Sequence, residues 1–194
     1  ALKHLEVAYG YSEVVAADER NSPEVRTEAK ANVARNAMTI GMGSRTRKAD
    51  FLSSWFESDL DAVQRDWVTK SLNAYMDLKK NGPAVLQAEA SYYQALILYL
   101  DGSHSASNEE IFWLIDNLPG QGEWRFKSLL VLAHNYDALD DKFQANYTLD
   151  FIIAENFIAE TVEQAKVFQA ILNTPAEDAS GPAVDTIIET PTLP

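Results

Sequence analysis

The chain has 194 residues, of which 46% are hydrophobic and 23% are charged, a balance typical of a globular protein rather than a disordered one. Its formal net charge is -13, and the absence of cysteine excludes disulfides and thiolate metal sites. No uncharged apolar run is long enough to span a bilayer, so we expect no transmembrane segment.

The whole net negative charge lies in the second part of the chain. Residues 1–80 hold 12 acidic and 12 basic side chains, whereas residues 81–194 hold 17 acidic and 4 basic ones. Phosphate binding requires clustered Lys and Arg, so this distribution argues against a nucleic-acid partner. It favours a protein or peptide partner of basic or mixed charge.

Helical periodicity predicts an all-α fold from the first residues onward. Apolar residues between Leu2 and Val15 predict an opening segment of one or two helices. The sequence Ser22-Pro23-Glu24 predicts the start of the next helix, because it combines a capping residue, a proline suited to the first turn and an acid near the positive helix end. We expect Gly41 and Gly43 to end that helix.

Two further helices are predicted before residue 84. One runs from about Ser44 and has an apolar side formed by Phe51, Leu52, Trp55 and Phe56. The other spans roughly 60–80. Asn81-Gly82-Pro83 follows it, and Gly suits a helix end whereas Pro suits a helix start. We therefore treat residues 1–83 as an irregular helical N-terminal part.

Short turns separate the predicted helices of the remaining chain. Residues 84–100 are predicted as a helix, and Ser107 followed by Glu110 has the spacing of a capping box that would begin the next one. Pro119-Gly120-Gln121-Gly122 is the strongest turn signal in the chain. Beyond it we predict helices over about 123–138, 141–155 and 159–172, so that residues 84–173 form repeats plus a closing helix.

An internal repeat with a period of 38 residues relates two of these helix pairs. The first unit contains Ala95, Leu98, Ser107, Ile111, Leu114 and Pro119. The second unit contains, at the same spacing, Ala133, Tyr136, Ala145, Leu149, Ile152 and Phe157. Small residues at the first and third positions allow two helices to cross closely, while the larger apolar residues fill the groove between them.

This pattern resembles the tetratricopeptide repeat (TPR) family. Ala133, Tyr136, Ala145 and Leu149 match the family's succession of small, Tyr, Ala and large apolar residues, and Pro119 is the final proline of the preceding unit. The family's usual period is about 34 residues, slightly shorter than here. The resemblance covers about residues 84–172 and implies a solenoid of about 8–9 antiparallel helices.

The resemblance also implies a function. Residues 124–136, followed by Phe143-Gln144-Ala145, look like the closing repeats of TPR proteins of the Bacteroidetes cell envelope, which favours the periplasm or envelope over the cytoplasm. TPR proteins are scaffolds or adaptors that bind a peptide or partner subunit on a concave helical surface. The alternative left open is a fixed structural subunit of a larger envelope assembly, docked through its C-terminal tail.

Motifs for catalysis or metal binding are not found. His4, His104 and His134 lack metal-ligand spacing. His134 lies within a repeat helix, where we expect a packing or groove-lining role, and we expect His104 to be solvated. The acidic cluster at residues 137–141 lacks the alternation and glycine of a calcium loop, so we predict helix capping there. We expect no catalytic residue, no metal and no cofactor.

Aromatic side chains are the candidates for partner binding, because exposed aromatics often dominate interface energies. In Tyr92-Tyr93 and in Phe112-Trp113 at least one ring should lie at an edge, since neighbouring helical positions cannot both face inward. The residues predicted to line the concave surface are Tyr93, Tyr99, Trp124, Asn135 and Gln144.

Residues 174–194 form a tail of different composition. Its first part contains the acids and prolines of a linker, and its end has an alternating, β-prone stretch around Ile187 and Ile188. Such a segment cannot bury enough surface to fold alone. We therefore expect Ile187 and Ile188 to bind the chain's own groove, a second copy or a partner subunit.

Overall fold

The computed structural model describes residues 2–43 and 60–174, and within these ranges all regular secondary structure is helical. The described helices are α1 Leu2–Ala17, α2 Pro23–Met42, α3 Ala62–Asn81, α4 Ala84–Leu100, α5 His104–Asn117, α6 Gly122–Ala138, α7 Lys142–Glu155 and α8 Ala159–Leu172. The helix predicted from Ser44 and the tail from residue 175 onward lie outside the described residues.

Side-chain caps define several helix starts. Ser22 accepts a hydrogen bond from the backbone N–H of Val25 at 3.4 Å, which confirms the predicted start of α2. Asp61 and Gln64 form a reciprocal capping box at the start of α3. Asp141 accepts a hydrogen bond from the N–H of Gln144 at 3.0 Å, so capping is the role of this member of the acidic cluster.

The predicted end of α2 is correct for Gly43 and wrong for Gly41. Gly41 lies inside the helix, which ends at Met42, and the C-cap Gly43 has a φ of 59° that favours glycine. Ser107 does not cap α5. The backbone N–H of Ser107 already bonds the carbonyl of Ser103 at 3.0 Å, so the helix begins at His104 and Ser107 is buried within it.

Short connections between α1 and α2 and from α3 to α8 make those consecutive helices antiparallel neighbours, and each described helix packs on the next. Helix α6 has a central place, because it also packs against α4 and α8. Helices α4, α6 and α8 therefore form one layer, against which α5 and α7 pack. The most extensive contacts of the N-terminal part join α2 to α1 and α3.

Burial is the same at equivalent positions of the internal repeat. The small first and third positions and the two large apolar positions that follow are fully buried in both units: Ala95, Ser107, Ile111 and Leu114, and Ala133, Ala145, Leu149 and Ile152. Leu98 and Tyr136 are partly buried, and Pro119 and Phe157 are exposed. The two helix pairs α4–α5 and α6–α7 thus bury the same face.

Small residues mark the closest helix contacts. In α2, the side chains of Ala31, Ala34 and Ala37 are fully buried. A Cβ built on Gly41 would lie 2.8 Å from Cγ2 of Val68 in α3, and 3.0 Å from a backbone oxygen and a backbone nitrogen of that helix. The two backbones approach so closely here that only glycine fits.

A buried carboxylate joins α4 to two helices of the N-terminal part. Glu89 of α4 is 3% exposed and receives two hydrogen bonds from the guanidinium of Arg35 in α2, at 2.7 Å and 2.6 Å. The hydroxyl of Tyr75 in α3 donates to the same carboxylate at 3.0 Å. The bidentate pair satisfies the buried charge and fixes how α2, α3 and α4 meet.

Removing this buried charge should destabilise the fold. In Glu89→Gln, Arg35 loses its charged bidentate partner and keeps Glu28 at 2.9 Å and the amide oxygen of Asn32 at 3.4 Å. We expect the free energy of unfolding in urea to fall by about 2–3 kcal/mol. The control Asp66→Asn breaks the exposed Lys70–Asp66 pair and should cost less than about 0.5 kcal/mol. Equal effects would contradict a structural role for Glu89.

Two glycine-to-alanine changes should alter the free energy of unfolding in opposite directions. Gly41→Ala forces α2 away from α3 and should lower the free energy of unfolding by about 1–3 kcal/mol, despite the better helix propensity of alanine. Gly10→Ala in α1 meets nothing within 4 Å and should raise it by about 0.5–1 kcal/mol. Urea unfolding of both variants measures the difference, and stabilisation by Gly41→Ala would exclude the close contact.

Candidate partner-binding surface

Four aromatic side chains from three helices form one cluster. The ring of Tyr75 in α3 stacks on that of Tyr93 in α4, with centroids 4.9 Å apart and an interplanar angle of 16°. Tyr92 lies 5.0 Å from Tyr93, and the ring of Trp124 in α6 lies 5.5 Å from Tyr92 and 6.1 Å from Tyr93. The cluster therefore joins the α4–α6 layer to α3 across one surface.

Only two members of the cluster reach solvent. Tyr75 and Tyr92 are buried, whereas Tyr93 and Trp124 are partly exposed. This confirms the prediction that at least one ring of Tyr92-Tyr93 lies at an edge. The same holds for Phe112, which is exposed beside the partly buried Trp113. Tyr93 and Trp124 thus present ring edges that the buried rings hold in place.

Charged groups border the two exposed rings. The ammonium of Lys127 lies 4.6 Å from the ring centroid of Trp124 and also bonds Glu123 at 2.6 Å. Burial, together with the nearby carboxylate of Glu89, raises the pKa of Tyr93 to about 12. Its hydroxyl is protonated at physiological pH. The exposed part of this surface is therefore aromatic and is bordered by the paired charges of Lys127 and Glu123.

The structure separates the residues predicted to line a common groove. Tyr93 and Trp124 do lie together, on α4 and α6. Tyr99 and Asn135 do not line an open surface, because both are buried, and their prediction as exposed anchors is wrong. Gln144 is partly buried in the first turn of α7 rather than on α4 or α6. Ile187 and Ile188 lie outside the described residues.

Asn135 belongs to a buried polar chain that joins α4, α5 and α6. Its amide nitrogen donates to the hydroxyl of Ser107 at 2.8 Å, and that hydroxyl donates to the carbonyl of Ala95 at 2.7 Å. The amide oxygen of Asn135 lies 3.1 Å from Nδ1 of His104. His104 is therefore partly buried and hydrogen-bonded, and the prediction that it is solvated is wrong. Because Ser107 is fully buried, this chain serves packing rather than nucleophilic chemistry.

His134 packs between helices, as its sequence position predicts. Its ring stacks on that of Phe168 in α8 with centroids 3.6 Å apart, and it lies 5.9 Å from the ring of Tyr99. Burial lowers the pKa of His134 to about 3, because the charged imidazolium is poorly solvated there. The side chain is neutral at physiological pH.

An open cleft of about 400 Å³ lies between α1, α2 and α3. Its apolar lining is formed by alanines and Val33, and its charged residues are Glu13, Lys30 and Asp77. Lys30 bonds Asp77 at 2.5 Å, and Glu13 accepts the hydroxyl of Tyr9 at 2.7 Å. These charges are satisfied within the chain, so the cleft has no unpaired polar group directed at a ligand.

Among residues 2–43 and 60–174, no three His, Asp or Glu side chains come together in an arrangement that could hold a metal ion. In the same ranges no helix combines the length and the apolar character needed to cross a bilayer.

Sequence reasoning missed a second group of aromatic residues, on α7. Phe143, Tyr147 and Phe151 are all exposed, and they recur every four residues on the side of α7 that does not face the core. The signal was present, because α7 also has an apolar stripe at Ala145, Leu149 and Ile152. A helix with two apolar sides needs more than one contact surface.

No family model, curated protein or solved structure matches the chain at a significant level.

Acidification should destabilise the fold through His134. The pKa of His134 is about 3 in the folded chain and about 6.5 in the unfolded chain. Below pH 6.5 the unfolded chain therefore binds a proton that the folded chain does not, and the free energy of unfolding decreases as pH falls from 6.5 toward 3. From pH 7 to 5, His134→Gln should lose less stability than the wild type by about 1–2 kcal/mol. Urea titrations at each pH measure this difference.

The matched control is His4→Gln, which removes an exposed histidine from α1. It should leave the pH dependence of the wild type unchanged. If the His134→Gln and wild-type curves fall in parallel between pH 7 and 5, His134 is not the group responsible.

Proposed function

We propose that the chain is a non-catalytic, TPR-like helical scaffold that binds a peptide segment of another protein on the face formed by α4 and α6. The observation that supports this is the pair of partly exposed rings, Tyr93 and Trp124, whose centroids lie 6.1 Å apart on two packed helices. Aromatic rings held rigidly at a surface are the usual anchors of protein interfaces, because they bury a large apolar area at little entropic cost.

The arrangement of the helices supports a scaffold. The helix pairs α4–α5 and α6–α7 bury equivalent positions, and α4, α6 and α8 pack in one layer. In helix-pair solenoids such a layer forms the extended surface that binds a partner. Tyr93 and Trp124 lie in this layer, which is where the TPR resemblance implies that a peptide binds.

The chemistry of the surface indicates the kind of segment it fits. An apolar side chain of the peptide can pack against the partly exposed rings of Tyr93 and Trp124. The second half of the chain is strongly acidic, so Lys or Arg beside the apolar anchor would add favourable electrostatic energy.

A peptide selection tests this function without a known partner. Peptides from a random displayed library are selected on the wild-type chain, and their affinities are compared for Trp124→Ala and Tyr93→Leu. We expect either change to weaken the selected peptides at least about ten-fold, as loss of an interface anchor does. Thermal unfolding confirms that each variant is folded at the temperature of the assay.

The control is Trp67→Ala on α3. The ammonium of Lys70 lies 4.4 Å from the ring centroid of Trp67, so this pair has the same geometry and spacing as Lys127 and Trp124. Because Trp67 lies on α3, away from the face formed by α4 and α6, Trp67→Ala should leave peptide affinity unchanged. Failure to select any peptide, or affinities insensitive to both Trp124→Ala and Tyr93→Leu, would contradict the proposed function.

A further inference from the structure

The outward side of α7 has three large aromatic side chains in a row. Phe143, Tyr147 and Phe151 are 75%, 65% and 44% exposed. Residues four apart lie on one side of a helix, so these rings form a continuous stripe about 12 Å long. We call the stripe formed by Phe143, Tyr147 and Phe151 the aromatic ridge. A contiguous apolar patch of this kind is uncommon on a protein that has no partner.

Neighbouring rings support one end of the ridge. Phe126 of α6 stacks on Phe151, with centroids 6.1 Å apart and an angle of 13°, and on Phe157, with centroids 4.9 Å apart and an angle of 19°. Phe157 is itself 59% exposed. A Cβ on Gly122 would come within 2.9 Å of the Phe157 ring, so this glycine makes room for the stack. The rings are held in place by one another.

The ridge is separate from the surface around Tyr93 and Trp124. Trp124 and Phe126 are two residues apart on α6, and side chains with that spacing point to nearly opposite sides of a helix. Trp124 contacts the tyrosines of α4, whereas Phe126 contacts Phe151 of α7. The ridge is consequently a second surface, and its occupant does not depend on the function proposed above.

Charge around the ridge restricts what can cover it. The exposed charged side chains from the cap of α7 to its last residue are three acids, Asp141, Asp150 and Glu155, and one base, Lys142. A second copy bound through the same surface would bring these acids together. The tail 175–194 has four acids and no base, and an anionic membrane would likewise be repelled. A basic partner is attracted.

A helix suits the ridge better than an extended strand, because the described residues offer no sheet edge to pair a strand's backbone, whereas a helix satisfies its own backbone groups. Successive ridge rings are about 6 Å apart along α7, which is the rise of four residues on a partner helix packed lengthwise. We propose that the aromatic ridge binds an amphipathic helix of a partner protein whose apolar face contacts Phe143, Tyr147 and Phe151 and whose flanks present Lys or Arg.

Two synthetic peptides test this proposal on the full chain. Both are amphipathic helices with leucines at i, i+4 and i+7 spacing, and the remaining surface is lysine in one and glutamate in the other. Fluorescence anisotropy measures their affinities. We expect the lysine peptide to bind at least about ten-fold more tightly than the glutamate peptide, and its affinity to fall as salt rises.

A pair of double variants localises the binding. Phe143→Ser with Tyr147→Ser removes two exposed rings of the ridge and should weaken the lysine peptide at least about ten-fold. The matched control, Val7→Ser with Tyr11→Ser, removes two exposed apolar side chains of α1 and should leave the affinity unchanged. Trp124→Ala should also leave it unchanged, so failure here is distinguishable from failure of the function proposed for α4 and α6.

Three results would overturn the proposal. The first is equal affinity of the two peptides, or an equal effect of the two double variants. The second is a concentration-dependent dimer in sedimentation that the ridge variant abolishes, because a second copy would then be the occupant. The third is peptide binding that appears only after residues 175–194 are removed, because the tail would then occupy the ridge.

Discussion

The fold depends on helix backbones that approach one another closely at small residues. In α2 the contact with α3 leaves no room for a Cβ at Gly41. Fully buried alanines recur along α2 itself and in α4, α6, α7 and α8, namely Ala31, Ala34, Ala37, Ala88, Ala90, Ala95, Ala133, Ala145 and Ala165. Close crossing leaves room for large side chains only on either side of the contact. Tyr93 and Trp124 lie at such an edge, which is why they combine rigid support with partial exposure.

Two buried polar groups determine which helices meet. Glu89 binds Arg35 and Tyr75 and so joins α4 to α2 and α3, while Asn135 and Ser107 join α6 to α5 and α4. An alternative packing that separated either set would leave a buried charge or amide without partners, at a cost larger than that of most apolar rearrangements. Small residues permit several close packings, and these polar contacts select one of them.

The two aromatic surfaces differ in physical character. The rings of Tyr93 and Trp124 pack on buried tyrosines and are bordered by paired charges. Phe143 and Tyr147 are exposed on α7, where acidic side chains outnumber basic ones. The first arrangement suits an apolar anchor residue of a bound segment, and the second suits a long apolar face with positive flanks. A chain that binds through both could hold two partners on opposite sides of α6.

The sequence by itself determined the helical class, most helix boundaries and the repeat, because capping residues, Gly–Pro turns and apolar periodicity act within one or two helical turns. Ser22, Asp61 and Gly82 show this directly. Tertiary structure alone decided that Gly41 is a contact rather than a stop, that Tyr99 and Asn135 are buried, and that Phe143 and Tyr147 are exposed. These outcomes depend on which side of each helix meets a neighbour. A helix such as α7, apolar on two sides, has no local signal to choose between them.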